Sequence, residues 1–422
     1  MSERPRRLCC SLVALAALSL HCDALAQSPS SAVVERQPFS LADGDRVVLL
    51  GSTMIEREAS HGYWEAALTS RFAGRNIQFR NLGWSGDNVF GEARARFGSV
   101  ADGFSHLKEH IETLKPTVIL VNYGANESFA GQEGLSSFLT GYETLLAMLD
   151  ESKARVVVVT PFAIEDLGRP LPDPAAHNKD LRMYCDGIAR LADRRNDLFV
   201  KLYDAFGSKL SPLSKSPLTD NGMHLTAFGY WRSAPVIEER LGLLPRRWQI
   251  ELDARDQNIA ARGTTISRAR FAPNKITFAA LDEQLPLAPP PADSPPAAST
   301  SESRIVTALV LAPGKYSLKI AGTVVATGTA AEWAAGIEIA GGPDVEQAEQ
   351  LRKVILAKNL LYFHRWRPQN ETYLFGFRKH EQGQNAVEIP QFDPLVAAKE
   401  AAIRELSVPV QREYELTKVD LK

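Results

Sequence analysis

Between Asp45 and about Leu244, short apolar runs and amphipathic stretches take turns along the chain. β-type runs stand at Arg46–Leu50, Ile77–Asn81, Thr117–Asn122, Arg155–Thr160 and Leu198–Leu202. The stretches between them carry apolar residues at three- and four-residue spacing: Tyr63–Phe72, His106–Leu114, Leu135–Leu149, Asn178–Asp193 and Ala227–Leu241. Continuous apolar runs suit strands covered on both faces, and the helical period suits crossovers between them. The pattern predicts an α/β domain with a parallel sheet and right-handed connections. Ligand sites in such sheets lie beyond the carboxyl ends of the strands. Gly51, Gly86 and Gly124 all sit just after predicted strands.

After Trp248 the pattern changes. Trp248–Leu252, Thr264–Ser267, Lys275–Ala279, Ile305–Val310, Tyr316–Ile320 and Thr323–Thr327 read as short strands, with Ala321-Gly322 as a hairpin turn. They predict a small β-rich module over residues 248–342. It is interrupted at 285–303 by a Pro/Ala/Ser stretch that reads as a flexible, disordered surface loop. Residues 343–422 read as a helical and aromatic extension. One helix is expected over Asp344–Tyr362, with Leu351, Ile355 and Leu356 as its apolar face, and a second near Pro394–Leu406. Between them, Tyr362–Gly383 crowds aromatic and cationic residues together.

Composition narrows this picture. The chain has 422 residues, 45% of them hydrophobic, and a net charge of -2, which gives no electrostatic argument for binding nucleic acid or an anionic membrane. Residues 1–26 read as a signal peptide: Arg4, Arg6 and Arg7 precede an apolar run, Leu8 to Leu20, and Ala24-Leu25-Ala26 fits a cleavage site. The expectation is export to the periplasm or the extracellular space, with no integral membrane segment after cleavage. Three of the four cysteines (Cys9, Cys10 and Cys22) fall inside this segment, so the mature chain keeps only Cys185 and has neither an internal disulfide nor a cysteine-based metal site.

Four short blocks carry candidate chemistry inside the α/β region, residues 40–247. They are Leu49-Leu50-Gly51-Ser52-Thr53, Asn81–Asn88 (NLGWSGDN), Val121–Ser128 (VNYGANES) and Leu218–Tyr230 (LTDNGMHLTAFGY). In order and spacing they resemble the SGNH (GDSL-type) hydrolases. The resemblance implies a three-layer, flavodoxin-like parallel sheet and ester hydrolysis, often of acyl groups on carbohydrates, without metal or cofactor. A small-molecule or carbohydrate ester would be the substrate. It also implies a hydroxyl nucleophile in the first block, oxyanion donors at Gly86 N–H and the Asn126 amide, and His224 as base. Such preorganised donors are worth about 3–4 kcal/mol each.

Two positions depart from the family pattern. Aligning Gly51 with the family glycine puts Ser52 in the place of an aspartate and Thr53 in that of the serine. Thr53 keeps the hydroxyl but carries an extra methyl group at a tight corner. Ser52 is the alternative, although a one-residue shift at a strand end turns a side chain to the other face. Three residues before His224 stands Asn221 where the family has an aspartate, with Asp220 adjacent. An asparagine carbonyl can hold an imidazole tautomer without stabilising imidazolium; in serine proteases the corresponding change costs about 10⁴ in rate. These departures leave a second expectation, a weakened or inactive member that binds a glycan or protein.

Outside the four blocks, His61, Arg365, Trp366 and Arg378 are candidate substrate-binding residues, His61 at the pocket rim and the others in a lid. The alternative for the Tyr362–Gly383 stretch is an interdomain strap whose aromatics pack and whose arginines pair with acids. His106 and His110, four apart on one helix, read as solvated.

Overall fold

The computed structural model describes residues 39–205, 216–295, 303–381, 383 and 385–419. The expected signal peptide lies outside them. The first sheet is built from β1 (Arg46–Gly51), β2 (Gln78–Gly83), β3 (Val118–Asn122), β4 (Arg155–Val159) and β5 (Leu198–Val200), all parallel, in the order β2-β1-β3-β4-β5. This is the flavodoxin-like order, with its topological switch between β1 and β3.

Alternation along β1 shows why both faces must be covered. Val47 and Leu49 enter one core with Trp64, Tyr230 and Ile237, while Val48 and Leu50 enter the other with Ile111, Tyr142 and Ile188. The first face carries α1 (Thr53–His61), α2 (Tyr63–Arg71) and α7 (Ala227–Arg240). The second carries α3 (Val100–Leu114), α4 (Gly131–Asp150) and α5 (Ala175–Arg195). A one-turn α6 (Tyr203–Ala205) follows β5. Cys185 is a buried free thiol in α5.

The β-rich region holds two sheets. One has the order β13-β10-β6-β7, from β6 (Trp248–Asp253), β7 (Asn258–Arg262), β10 (Arg304–Leu309) and β13 (Ile337–Glu338). The other has the order β12-β11-β14-β9-β8, from β8 (Thr264–Ala272), β9 (Lys275–Asp282), β11 (Lys315–Ile320), β12 (Thr323–Thr329) and β14 (Arg412–Val419). They share one core containing Leu252, Phe278, Val306, Leu318, Tyr414 and Leu416, joined by Trp333 of the short α8 (Ala330–Ala335).

β14 was not expected. Its Tyr414 and Leu416 point inward between charged neighbours, so a half-buried strand hides in a polar stretch. The segment 343–422 therefore does not stand apart: its last described strand completes the β-rich region. Its helices α9 (Pro343–Trp366), the short α10 (Glu371–Leu374) and α11 (Phe392–Leu406) precede that strand. α9 is fixed to the α/β domain by a buried Lys358, which bonds Glu65 of α2 at 2.7 Å and the Phe79 carbonyl at 3.0 Å.

The Pro-rich segment also differs from expectation over its described part. Leu285 and Ala288 are buried, the Trp231 indole donates to the Ala288 carbonyl, and Arg246 donates to the Leu285 carbonyl. Those interactions fix the chain to the α/β domain; residues 296–302 lie outside the described part.

Candidate active site

The site grows from the corner where β1 stops. Gly51 ends the strand, Ser52 is the N-cap of α1, and Thr53 is its first helical residue. The helix lies hard against the sheet. A Cβ on Gly83 would stand 2.1 Å from the Glu56 nitrogen, and one on Gly51 would stand 2.4 Å from the Asn122 carbonyl. Only glycine fits either place. Because the chain turns from strand to helix here, strand alternation no longer separates Ser52 from Thr53. Both line one cavity of about 50 Å³, together with Asn126, Phe162, His177 and His224. The orphan N–H groups of the first turn of α1 begin at this cavity, an end of the helix that favours negative charge.

The loops after β2 and β3 are tied to that corner and to each other. The Asn126 amide donates to Ser52 Oγ at 2.8 Å and to the Asp87 carbonyl at 2.9 Å. Asp87 is wholly buried; its carboxylate accepts from Arg94 at 2.6 Å and from the Tyr123 hydroxyl at 2.8 Å. The Glu127 carboxylate takes the N–H groups of Val89 and Gly124, at 3.0 and 2.9 Å. Desolvation pushes this carboxyl up to about 7, against the pull of those donors. Gly86 has a φ of +79°, in an exposed turn one residue from Asp87, and is not among the residues lining the cavity.

The fourth block places His224 on the opposite wall. Asn221 Oδ1 accepts the backbone N–H groups of Met223 and His224, at 3.0 and 2.9 Å. That fixes the amide: its N–H₂ end faces His224 Nδ1, 3.1 Å away. The asparagine therefore donates to the ring instead of accepting from it, the reverse of the expected carbonyl contact. A neutral His224 then carries its hydrogen on Nε2. Asp220 Oδ1 stands 3.9 Å from Nδ1, and the other carboxylate oxygen is held by Arg57 at 2.7 Å. Burial and the Arg57 charge lower the His224 pKa, against the pull of Asp220. Neither Ser52 nor Thr53 forms a hydrogen bond to the His224 ring among the described residues.

Residues 40–232 match the GDSL-like Lipase/Acylhydrolase family. The α/β domain belongs to this family. Its reaction class is ester hydrolysis. No curated protein matches the chain by sequence. Among solved structures, a gut microbial diltiazem-metabolizing enzyme is similar over 90% of this chain and 99% of its own, at 18% identity and a TM-score of 0.71. That likeness extends the shared fold through the β-rich region and α9–α11. An acetylxylan esterase from Geobacillus stearothermophilus is similar at 17% identity over 49% of this chain and 98% of its own, with a TM-score of 0.38.

The other expected substrate contacts of this GDSL-like hydrolase lie away from the cavity. The His61 ring stacks on Tyr230, 4.7 Å between centroids, and burial lowers its pKa to about 4. Arg365 pairs with Asp393 at 2.8 Å, and Arg378 pairs with Glu381. Trp366 is buried edge-on against Trp84 and His110. None of these four lines the Ser52 cavity. The paired arginines and packed aromatics are those of a strap. Its Arg367 stacks on Trp84 at 3.9 Å and bonds Glu56, whose carboxylate also accepts the Ser85 N–H. His106 and His110 are not freely solvated either: His106 Nδ1 lies 3.0 Å from the Arg94 carbonyl, and burial lowers the His110 pKa to about 4.

Several site residues were missed in the sequence. Asp87, Tyr123 and Glu127 stood inside the blocks without an assigned role. His177 had no signal, since it opens a helix far from any block. Arg57 lies one turn into α1, which has no apolar stripe to announce it.

Proposed function

We propose that this hydrolase cleaves esters of short acyl groups, with Ser52 as the nucleophile. The observation that carries the reading is the 2.8 Å hydrogen bond from the Asn126 amide to Ser52 Oγ. It sets the hydroxyl beside a fixed donor that can take up the negative charge of a tetrahedral intermediate. Thr53 shares the cavity but has no such donor among the described residues. Pro161, Phe162, Ile164, Leu181 and Met223 form an apolar wall to a cavity of about 50 Å³, well below the roughly 300–1,000 Å³ of pockets that take drug-sized ligands, which favours a short acyl group. A histidine of the cavity carries the proton, and His224 occupies the position of the family base. Gly86, the other expected oxyanion donor, stands in an exposed turn outside the cavity lining, so the donor assigned here is the Asn126 amide. A carbohydrate as the alcohol part rests on the family resemblance, and export rests on residues 1–26.

The test is hydrolysis of p-nitrophenyl acetate, butyrate and octanoate by the wild type and by Ser52→Ala, Thr53→Ala and His224→Ala. The expected result is a preference for acetate and a fall of at least ~100-fold in kcat for Ser52→Ala. Loss confined to Thr53→Ala would move the nucleophile by one residue; unchanged rates in both hydroxyl variants would end the proposal. A second reading, a weakened site that mainly binds, is favoured by the amide N–H turned toward His224 Nδ1. It predicts tight retention of an acetylated ligand with turnover barely above the solvent rate.

A further inference from the structure

The turn at residues 84–87 is held by a residue from outside the α/β domain. Glu56 lies in the first turn of α1, and its N–H donates to the Ser52 carbonyl at 3.1 Å. Its Oε2 accepts the Ser85 N–H at 2.5 Å. The same oxygen accepts from Arg367 Nη1 at 2.8 Å. Arg367 is the C-cap of α9, and its guanidinium lies 3.9 Å from the centroid of the Trp84 ring and 5.6 Å from that of Phe363. One cation of the C-terminal extension therefore engages both the helix that Ser52 caps and the turn beside it.

Asn126 leans on that turn. The Trp84 N–H donates to the Gly51 carbonyl at 3.0 Å, and the Asp87 N–H closes the turn on the Trp84 carbonyl at 3.0 Å. The Asp87 carbonyl accepts from the Asn126 amide nitrogen at 2.9 Å, and Ser52 Oγ accepts from the same nitrogen at 2.8 Å. An amide NH₂ carries its two hydrogens in one plane, so the direction of the first sets that of the second. A shift of the Asp87 carbonyl thus turns the donor aimed at Ser52.

The Arg367–Glu56 pair is not what holds α9. Lys358 and the buried Leu351, Ile355, Tyr362 and Trp366 already fix that helix. A pair whose side chains are 24% and 28% exposed adds little to stability. What it sets is the direction of the Glu56 carboxylate, which without its cation would turn to water and release the Ser85 N–H.

We infer that Arg367 is a positioning residue: through Glu56 and the turn at 84–87 it sets the Asn126 amide against Ser52 Oγ. This rests on the esterase reading above, with Asn126 as the oxyanion donor and His224 as the base. The C-terminal extension is thereby part of the active arrangement, although none of its residues lines the cavity.

The experiment has two readouts. The first is hydrolysis of p-nitrophenyl acetate by the wild type and by Arg367→Ala, Glu56→Ala, Asn126→Ala and their pairs. Arg367→Ala should lower kcat roughly 10- to 100-fold with KM within about twofold, since an error of about 1 Å in a catalytic group can cost ~100-fold. Glu56→Ala should lose as much, and the Arg367→Ala/Glu56→Ala pair no more than either alone. In an Asn126→Ala background, Arg367→Ala should change kcat by less than about twofold, because changes that act through one group do not add. Arg367→Lys keeps a cation on Glu56 and should restore most of the rate. The second readout needs no turnover. The side-chain amide signals of Asn126 in a ¹H–¹⁵N spectrum, assigned by their absence in Asn126→Ala, should shift in Arg367→Ala while the urea midpoint stays in place. The inference is overturned if those signals do not move, if Arg367→Ala costs the same factor with and without Asn126, or if the lost rate follows a lowered urea midpoint. The esterase reading fails separately, on hydrolysis that survives Ser52→Ala, an outcome that leaves the Asn126 spectrum unchanged.

Discussion

Asn221 decides what His224 can do. An aspartate in its place would accept Nδ1–H and stabilise imidazolium; the amide gives a hydrogen to Nδ1 and opposes it. Asn221→Asp is therefore expected to raise the His224 pKa to or above the ordinary histidine value, readable in an NMR titration of the ring. A lowered value in the variant would mean that Asp220, not residue 221, governs the ring. The four blocks brought Thr53 and its alternative Ser52, with Asn126 and His224, forward as candidates, because each block follows a strand or precedes a helix at a fixed place, and all four line one cavity. The direction of the Asn221 amide was not legible. It is set by two backbone N–H groups that exist only once the turn has formed.

At the scale of elements, the sheet and its covering helices followed from periodicity, because strands buried on both faces are apolar throughout. The elements that escaped are polar ones. α1 buries only Ile55 and Glu58, so no apolar stripe marks it. β14 contributes Tyr414 and Leu416 from among charged residues. α9 was expected as a helix, but its anchor was not, since a lysine and a glutamate read as solvent-facing until their burial is seen. Lys358 and Glu65 are both almost fully buried. Lys358→Met would leave the Glu65 carboxylate without its cation in the interior, at a cost of about 3–5 kcal/mol. The midpoint of urea unfolding should fall accordingly, and the paired change Lys358→Met with Glu65→Leu should recover most of it.

For the whole molecule, one carboxyl sets a pH dependence of stability. Glu58 lies at the junction of α1 and α2, where it accepts the N–H groups of Trp64 and Glu65 at 2.7 and 3.2 Å. Burial pushes it from 4.5 up to about 8. A carboxyl raised in the folded state binds its proton more tightly there than in the unfolded chain. Its contribution is fully present below pH 4.5 and is lost as pH rises through about 8. Glu58→Gln keeps an acceptor for both N–H groups and removes the titration. At pH 9 the variant should be more stable than the wild type by up to about 4–5 kcal/mol, with little difference at about pH 4. Equal slopes of unfolding free energy against pH in the two proteins would exclude Glu58 as the source.

The position of β14 also imposes an order of events during synthesis. Lys275 of β9 pairs with Thr417, and Lys315 of β11 pairs with Val419, so the middle strand of that sheet leaves the ribosome long after its neighbours. Until it arrives, two strand edges stand open and able to pair with another chain. Chains stalled before Arg412 would keep both edges open and are expected to aggregate more readily than the full-length protein.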